Sequence, residues 1–292
     1  MIDPEGASVP RLQGRQLIGA NFAFQHFAFE RVAEILAGFG FREIELWGIA
    51  PHLDLFHATD AHIGSVRRVL EENGLATWCF TPEQVVYPVN IASGDEAYRR
   101  DSVERFRRAA DICAELGARY LFLTSGRGYE HDPPEEAWAR SAASLAEIAG
   151  HAARNGVRCL LEPLQRFETN VLTDAAGLRR MIDQIGADNV DVVLDTVGMA
   201  AAGDTVADYV RLFGGRLAHV QIVDGRPAGH LVWGDGALPL GTYLTELAAS
   251  GYAGKLTFEP FGDGTYALDP VTAWTRNLRA IEPYLNRASA AA

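Results

Sequence analysis

A single-domain (β/α)8 TIM barrel is the fold class this sequence predicts, and three observations predict it. Eight short apolar runs alternate with longer amphipathic segments. The runs recur about every 34 residues, one βα unit per step. First to last they span roughly 240 residues, the length that eight such units occupy in one domain. A doubly wound open sheet would carry a glycine-rich loop after its first strand, and GANFAFQ is not one. The expected layout is a barrel over 16–285, an N-terminal tail over 1–15 and a C-terminal tail over 286–292.

The elements follow in order. LIGANF (17–22) reads as the first strand, and FERVAEILAGFG after it as a helix stopped by a glycine suited to a C-cap. EIELWG (43–48) is followed by SVRRVLEENG, and ATWCF (76–80) by the longer DSVERFRRAADICAELG, both ending the same way. RYLFLTS (119–125) precedes EEAWARSAASLAEIAGHAARNG, and RCLLEPL (158–164) precedes DAAGLRRMIDQIG. DVVLDT (191–196), LAHVQIVD (217–224) and KLTFEPF (255–261) complete the strands, each trailed by a helical pattern: VADYVRLFGG, LGTYLTELAASG and VTAWTRNLRAIEPYL.

Composition narrows the function classes. The formal net charge is −12, from 26 basic and 38 acidic residues. Such a surface repels phosphate backbones, which argues against nucleic-acid binding. No apolar run approaches a membrane span, and the polar N-terminus carries no signal-peptide core. Three cysteines, Cys79, Cys113 and Cys159, lack metal spacing and read as reduced core thiols of a cytoplasmic protein. Of the basic residues only Lys255 is a lysine, which leaves Schiff-base catalysis a single candidate.

Four later strands share a pattern: an apolar run ending in one hard oxygen donor. These are Glu162 after CLL, Asp195 after VVL, Gln221 after LAHV and Glu259 after LTF, spaced 33, 26 and 38 residues apart. In a barrel of this type the C-terminal strand ends carry the active site. Strand alternation puts Leu160 with Glu162, Val193 with Asp195, His219 with Gln221 and Thr257 with Glu259. One acid at a strand end is ordinarily a helix cap or a surface charge. Four donors in consecutive units point instead to a divalent cation, since three converging carboxylates repel one another without one. Hard oxygen donors favour Mn²⁺ or Mg²⁺ over zinc.

LEPLQRFETN (161–170), the Asp195 strand, HVQIVDG (219–225), the GDG turn at 234–236 and YAGKLTFEP (252–260) resemble the sugar isomerase/epimerase superfamily of xylose-isomerase-like barrels. EIELWGIAPH (43–52) and TPEQVVYPVNIASGDEAYRR (81–100) look most like the fructoselysine 3-epimerases and ketose 3-epimerases within it. The resemblance implies metal ligands at Glu162, Asp195, Gln221 and Glu259, with Mn²⁺ as cofactor and Mg²⁺ or Co²⁺ as substitutes. It implies a substrate-hydroxyl contact at Glu168 and a substrate role for His230. Two positions depart from the sugar epimerases, which place histidine at Gln221 and, three residues past the ligand aspartate, at Gly198. The second departure makes simple free ketoses poorer candidates and a substituted ketose a better one.

Epimerisation beside a sugar carbonyl passes through an enediolate, and inverting the carbon needs one base on each face. Glu162 and Glu259 come from strands three apart in a ring of eight, so they are assigned as the proton-transfer pair. Arg226, Trp233, Glu45 and Glu83 are further candidates for substrate contact, with capping the rival role for the two glutamates. His219 reads as packing beneath Gln221. Two other classes stay open. One is a lyase on the same site, either a keto-sugar dehydratase or a C-glycoside deglycosidase subunit acting in a hetero-oligomer. The other, more remote, is an AP-endonuclease-like nuclease. The expected partner is a small carbohydrate, with a homo-oligomer as the assembly of the epimerase reading.

Overall fold

The computed structural model describes residues 10–226 and 228–286. The barrel strands are β1 Gly19–Ala20, β2 Glu43–Gly48, β3 Ala76–Pro82, β4 Tyr120–Leu123, β5 Arg158–Leu161, β6 Val190–Asp195, β7 Leu217–Ile222 and β8 Lys255–Phe258. Each pairs in parallel with its neighbour in chain order. The ring closes through a parallel bridge between Leu17 and Leu256, where Ile18 N donates to Leu256 O at 2.8 Å. This is the (β/α)8 barrel the sequence predicts.

Helices pack outside the ring: α1 Phe29–Gly38, α2 Asp60–Glu72, α3 Glu96–Leu116, α4 Pro134–Arg154, α5 Ala175–Ile185, α6 Thr196–Ala202, α7 Val206–Phe213, α8 Leu240–Ala249 and α9 Pro270–Ile281. Gly117 and Gly186 end α3 and α5 in the left-handed region, at φ 68° and 67°, where a Cβ would be strained. No described helix is long and apolar enough to cross a membrane. The main core lies between sheet and helices. A second, smaller core, including Ile18, Trp78, Tyr120, Phe122, Leu160 and Val193, fills the barrel. All three cysteines are buried free thiols, and burial pushes each thiol up.

Three differences from the sequence reading have physical causes. β1 is short because the Asn21 side chain takes over the pairing: its Oδ1 accepts from Trp47 N at 2.6 Å and its Nδ2 donates to Trp47 O at 3.0 Å. β5 and β8 stop before the expected ends because Pro163 and Pro260 have no N–H for the ladder. Part of the expected N-terminal tail is built in. Leu12–Gln13 pairs in parallel with Leu285–Asn286, and Leu12 is buried. Residues 1–9 and 287–292, the rest of the two expected tails, lie outside the described residues.

Candidate active site

The same two prolines shape the mouth. A residue before proline is held extended, so Glu162 and Glu259 continue the direction of β5 and β8 one step past the last paired residue. Asp195 is the last residue of β6 and also the cap of α6, its Oδ1 accepting from Gly198 N at 2.6 Å. It therefore fills the capping role and leaves its second oxygen free. Gln221 sits beside it as its register partner on β7.

Two of these side chains, Asp195 and Glu259, meet at the C-terminal mouth beside His230. Carboxylate oxygens of Asp195 and Glu259 and a ring nitrogen of His230 all lie within 4.8 Å of one another. His230 Nε2 stands 3.5 Å from Glu259 and 3.9 Å from Asp195. Glu162 lies outside that tight group but lines the same cavity as Glu259, Glu168 and His230. Asp195 Oδ2 and Gln221 Oε1 are both buried acceptors with no hydrogen-bond partner among the described residues. Orphaned acceptors of this kind are rare in a folded interior, and a cation would satisfy both.

The electrostatics agree. Burial pushes the Glu162 carboxyl well above the usual carboxylate range, and the charges of Asp195, Glu168 and Glu45 add to it. Burial raises Glu259 likewise, with Glu162 and Asp195 the next causes. Asp195 is raised by burial and held back by His230 and by the N–H groups of Gly198 and Val197. Several acids opposing each other's ionisation at one point is the pattern that a bound cation relieves.

The cavity above them measures about 310 Å³. One wall is a triangle of aromatic rings: Phe22, Trp47 and Phe261 lie 5.0–5.5 Å apart between centroids. Opposite are Phe122, Thr124 and Leu164, and the rim carries Val85 and Val86, the latter 75% exposed.

Among the expected substrate contacts, Glu168 lines the cavity, half-buried, its Oε2 accepting from Gln165 N at 3.1 Å. Burial raises its carboxyl. His230, read from sequence as a substrate contact, stands close enough to Asp195 and Glu259 to be a further cation ligand. Its backbone sits at φ 40°, a strained region for a residue with a Cβ. The neighbouring β8 loop braces it: Phe261 N and Gly262 N both donate to its carbonyl.

Glu83 reaches the cavity wall, but its oxygens are occupied by Trp47 Nε1 at 3.0 Å and by the N–H groups of Val85 and Val86. It braces the rim loop.

Three contacts are corrected. Trp233 points away and stacks on Tyr284 at 5.6 Å, because its loop folds back onto α9 through Asn277. Arg226 is exposed and absent from the cavity lining, its charge acting on Asp235 instead. Glu45 is fully buried inside the barrel, because β2 runs three residues further to Gly48. It lies beneath Trp47 on the same strand face and hydrogen-bonds His219.

Sequence reasoning missed two features. Gln84 ties β3 to β4, its Oε1 accepting from Thr124 N at 2.9 Å, and nothing in the sequence marks it. Asp224 accepts from the N–H groups of Gly225, Gly234, Gly236 and Leu238 at 2.8–3.1 Å. A Cβ on Gly236 would fall 2.2 Å from that carboxylate, so the GDG turn was its visible signal.

A closed barrel with an acidic cluster, an amide and an aromatic-walled cavity at its C-terminal mouth defines the class: a TIM-barrel protein with its site where enzymes of this fold keep theirs. The chain belongs to the xylose isomerase-like TIM barrel family, which matches residues 33–284, as the motifs led one to expect. It is similar to the fructoselysine 3-epimerase of Escherichia coli O157:H7, at 28% identity over 237 residues, 80% of this chain and 84% of that protein. It is also similar to the L-ribulose 3-epimerase of Mesorhizobium japonicum, at 33% identity over 196 residues, 65% of each chain. Among solved structures, that of an L-ribulose 3-epimerase aligns with a TM-score of 0.77 at 26% identity, covering 92% of this chain and 94% of that one.

Proposed function

We propose that this protein is a divalent-metal-dependent sugar epimerase acting on the carbon next to a ketose carbonyl, with a substituted keto-sugar as substrate. The observation that carries this reading is the pair of orphaned buried acceptors, Asp195 Oδ2 and Gln221 Oε1, beside two glutamates that share one sugar-sized cavity. The 3-epimerase relatives support the reaction type.

Glu162, Asp195, Gln221 and Glu259 would hold the ion, with His230 adjacent. Mn²⁺ suits this donor set best. Once bound, such an ion stabilises the negative charge that develops on the substrate oxygens. Glu162 and Glu259 come from β5 and β8 on different sides of the ring. One takes the proton from the carbon and the other returns a proton to the opposite face. Glu168 receives a substrate hydroxyl. The aromatic triangle and the Val85–Val86 rim give the sugar's substituent an apolar surface to lie against.

Replacing Gln221 with His should keep ion binding but move preference across a Mn²⁺, Co²⁺ and Zn²⁺ panel towards Co²⁺ or Zn²⁺, because imidazole is the softer donor. An unchanged order of preference in that panel would remove Gln221 from the ligand set.

The reaction itself is tested in D₂O with the Mn²⁺-loaded protein, offered fructoselysine, free ketohexoses, their phosphates and 3-keto-C-glycosides. Epimerisation places deuterium on the carbon beside the carbonyl without loss of the substituent. Release of a free aglycone or of water from the sugar would assign the site to a lyase instead.

A further inference from the structure

Gln221 presents two chemically opposite ends, and the structure fixes which one Glu45 takes. Its Nε2 donates to Glu45 Oε1 at 3.1 Å, inside the barrel. Glu45 is held in turn: Oε1 also accepts from the Thr81 hydroxyl at 2.6 Å, and Oε2 accepts from His219 Nε2 at 2.7 Å. All four side chains are buried.

A carboxylate only accepts, so it selects the NH₂ end of the amide. The carbonyl oxygen is thereby left as the buried acceptor without a partner among the described residues. With the amide reversed, two oxygens would confront each other across the Glu45 contact. The NH₂ group would then sit beside Asp195 and act as a donor to the carboxylates instead of a ligand. Burial of the whole contact makes that reversal costly.

We infer that Glu45 is a positioning residue that holds the Gln221 carbonyl oxygen toward the acidic cluster and so makes an amide serve as a metal ligand there. The inference rests on the proposed ligand role of Gln221. Outer residues that orient a ligand typically change metal affinity by about 10–100-fold when replaced.

The test is Mn²⁺ binding to chelator-stripped protein by titration calorimetry, in a cycle of wild type, Glu45→Gln, Gln221→Glu and the double variant, with Gln221→Ala alongside. Glu45→Gln should weaken binding at least about tenfold in the wild-type background. In the Gln221→Glu background the same change should cost nothing, since a carboxylate at position 221 has no wrong end and an amide at position 45 can donate to it. An equal loss in both backgrounds would overturn the positioning role and leave Glu45 as a packing partner of His219. Gln221→Ala binding Mn²⁺ as tightly as wild type would instead overturn the ligand reading beneath it. Thermal unfolding checks each variant. Should Glu45→Gln fail to fold, Glu45→Asp runs the same cycle, because it keeps the charge and shortens the reach to Gln221.

Discussion

Glu162→Gln and Glu259→Gln are each expected to lower turnover by at least about 10²-fold, the lower end of what a positioned acid or base contributes. The amide is nearly isosteric and cannot exchange a proton at the reacting carbon. Both variants should fold, because burial penalises these two carboxyls and neutralising them removes mutual repulsion. An increase in thermal stability of the metal-free variants over metal-free wild type is the accompanying sign. Since both glutamates are also proposed ligands, the bound ion must be counted in each variant. A fully loaded variant with near-normal turnover would take that residue out of proton transfer. Solvent deuterium separates the two roles further: a variant that exchanges the substrate proton without inverting the carbon has lost only the second base.

Stripping the ion should abolish turnover, with Mn²⁺ restoring it. The stability of the stripped protein should also depend on pH in a definite direction. Glu162, Glu259 and Asp195 have carboxyls raised in the folded state. Such groups bind protons in the folded chain that they release on unfolding. Their contribution is favourable below the ordinary carboxylate range, about 4, and is lost as pH rises through the raised folded values. The proposed ligands are deprotonated carboxylates, so added Mn²⁺ should stabilise more as pH rises through that window. At a hundredfold excess of free ion over its dissociation constant the gain is about 2.7 kcal/mol, which a melting curve resolves readily. Turnover that survives complete removal of divalent ions, or a melting temperature indifferent to Mn²⁺, would exclude the metal centre.

Much of this fold was legible because parallel strands buried on both faces read as continuous apolar runs. The mouth was legible for a narrower reason. Glu162 and Glu259 are each followed by proline, and Asp195 by the start of α6, so three donors advertise the ends of their strands. Glu45 was taken for a substrate contact because it resembles them, an acid in an apolar run, although its strand continues to Gly48 and leaves it roughly 10 Å below the strand end at about 3.3 Å per residue. Trp233 and Arg226 could not be read at all. Their loop is set by the Asp224 clasp, of which the GDG turn was the one local sign, and by a contact with α9 distant in sequence, of which the local pattern carries no trace.

The way that loop is fastened divides the rim into two mechanical halves. On one side, Asp224 gathers four backbone N–H groups, the Asp224–Leu231 bridge closes the base, and the His230 carbonyl links the turn to the β8 loop. His230 and Glu259 therefore sit on one stiff piece. On the other side, residues 83–87 are held through side chains, the Glu83 carboxylate, the Gln84 amide and the Tyr87 hydroxyl, and they present two exposed valines. A lineage or an engineer can reshape Val85 and Val86 to admit a different substituent without disturbing the acids proposed to move the proton. Changes in the loop of 224–238 carry both at once. New substrate ranges should therefore arise first among variants of residues 83–87.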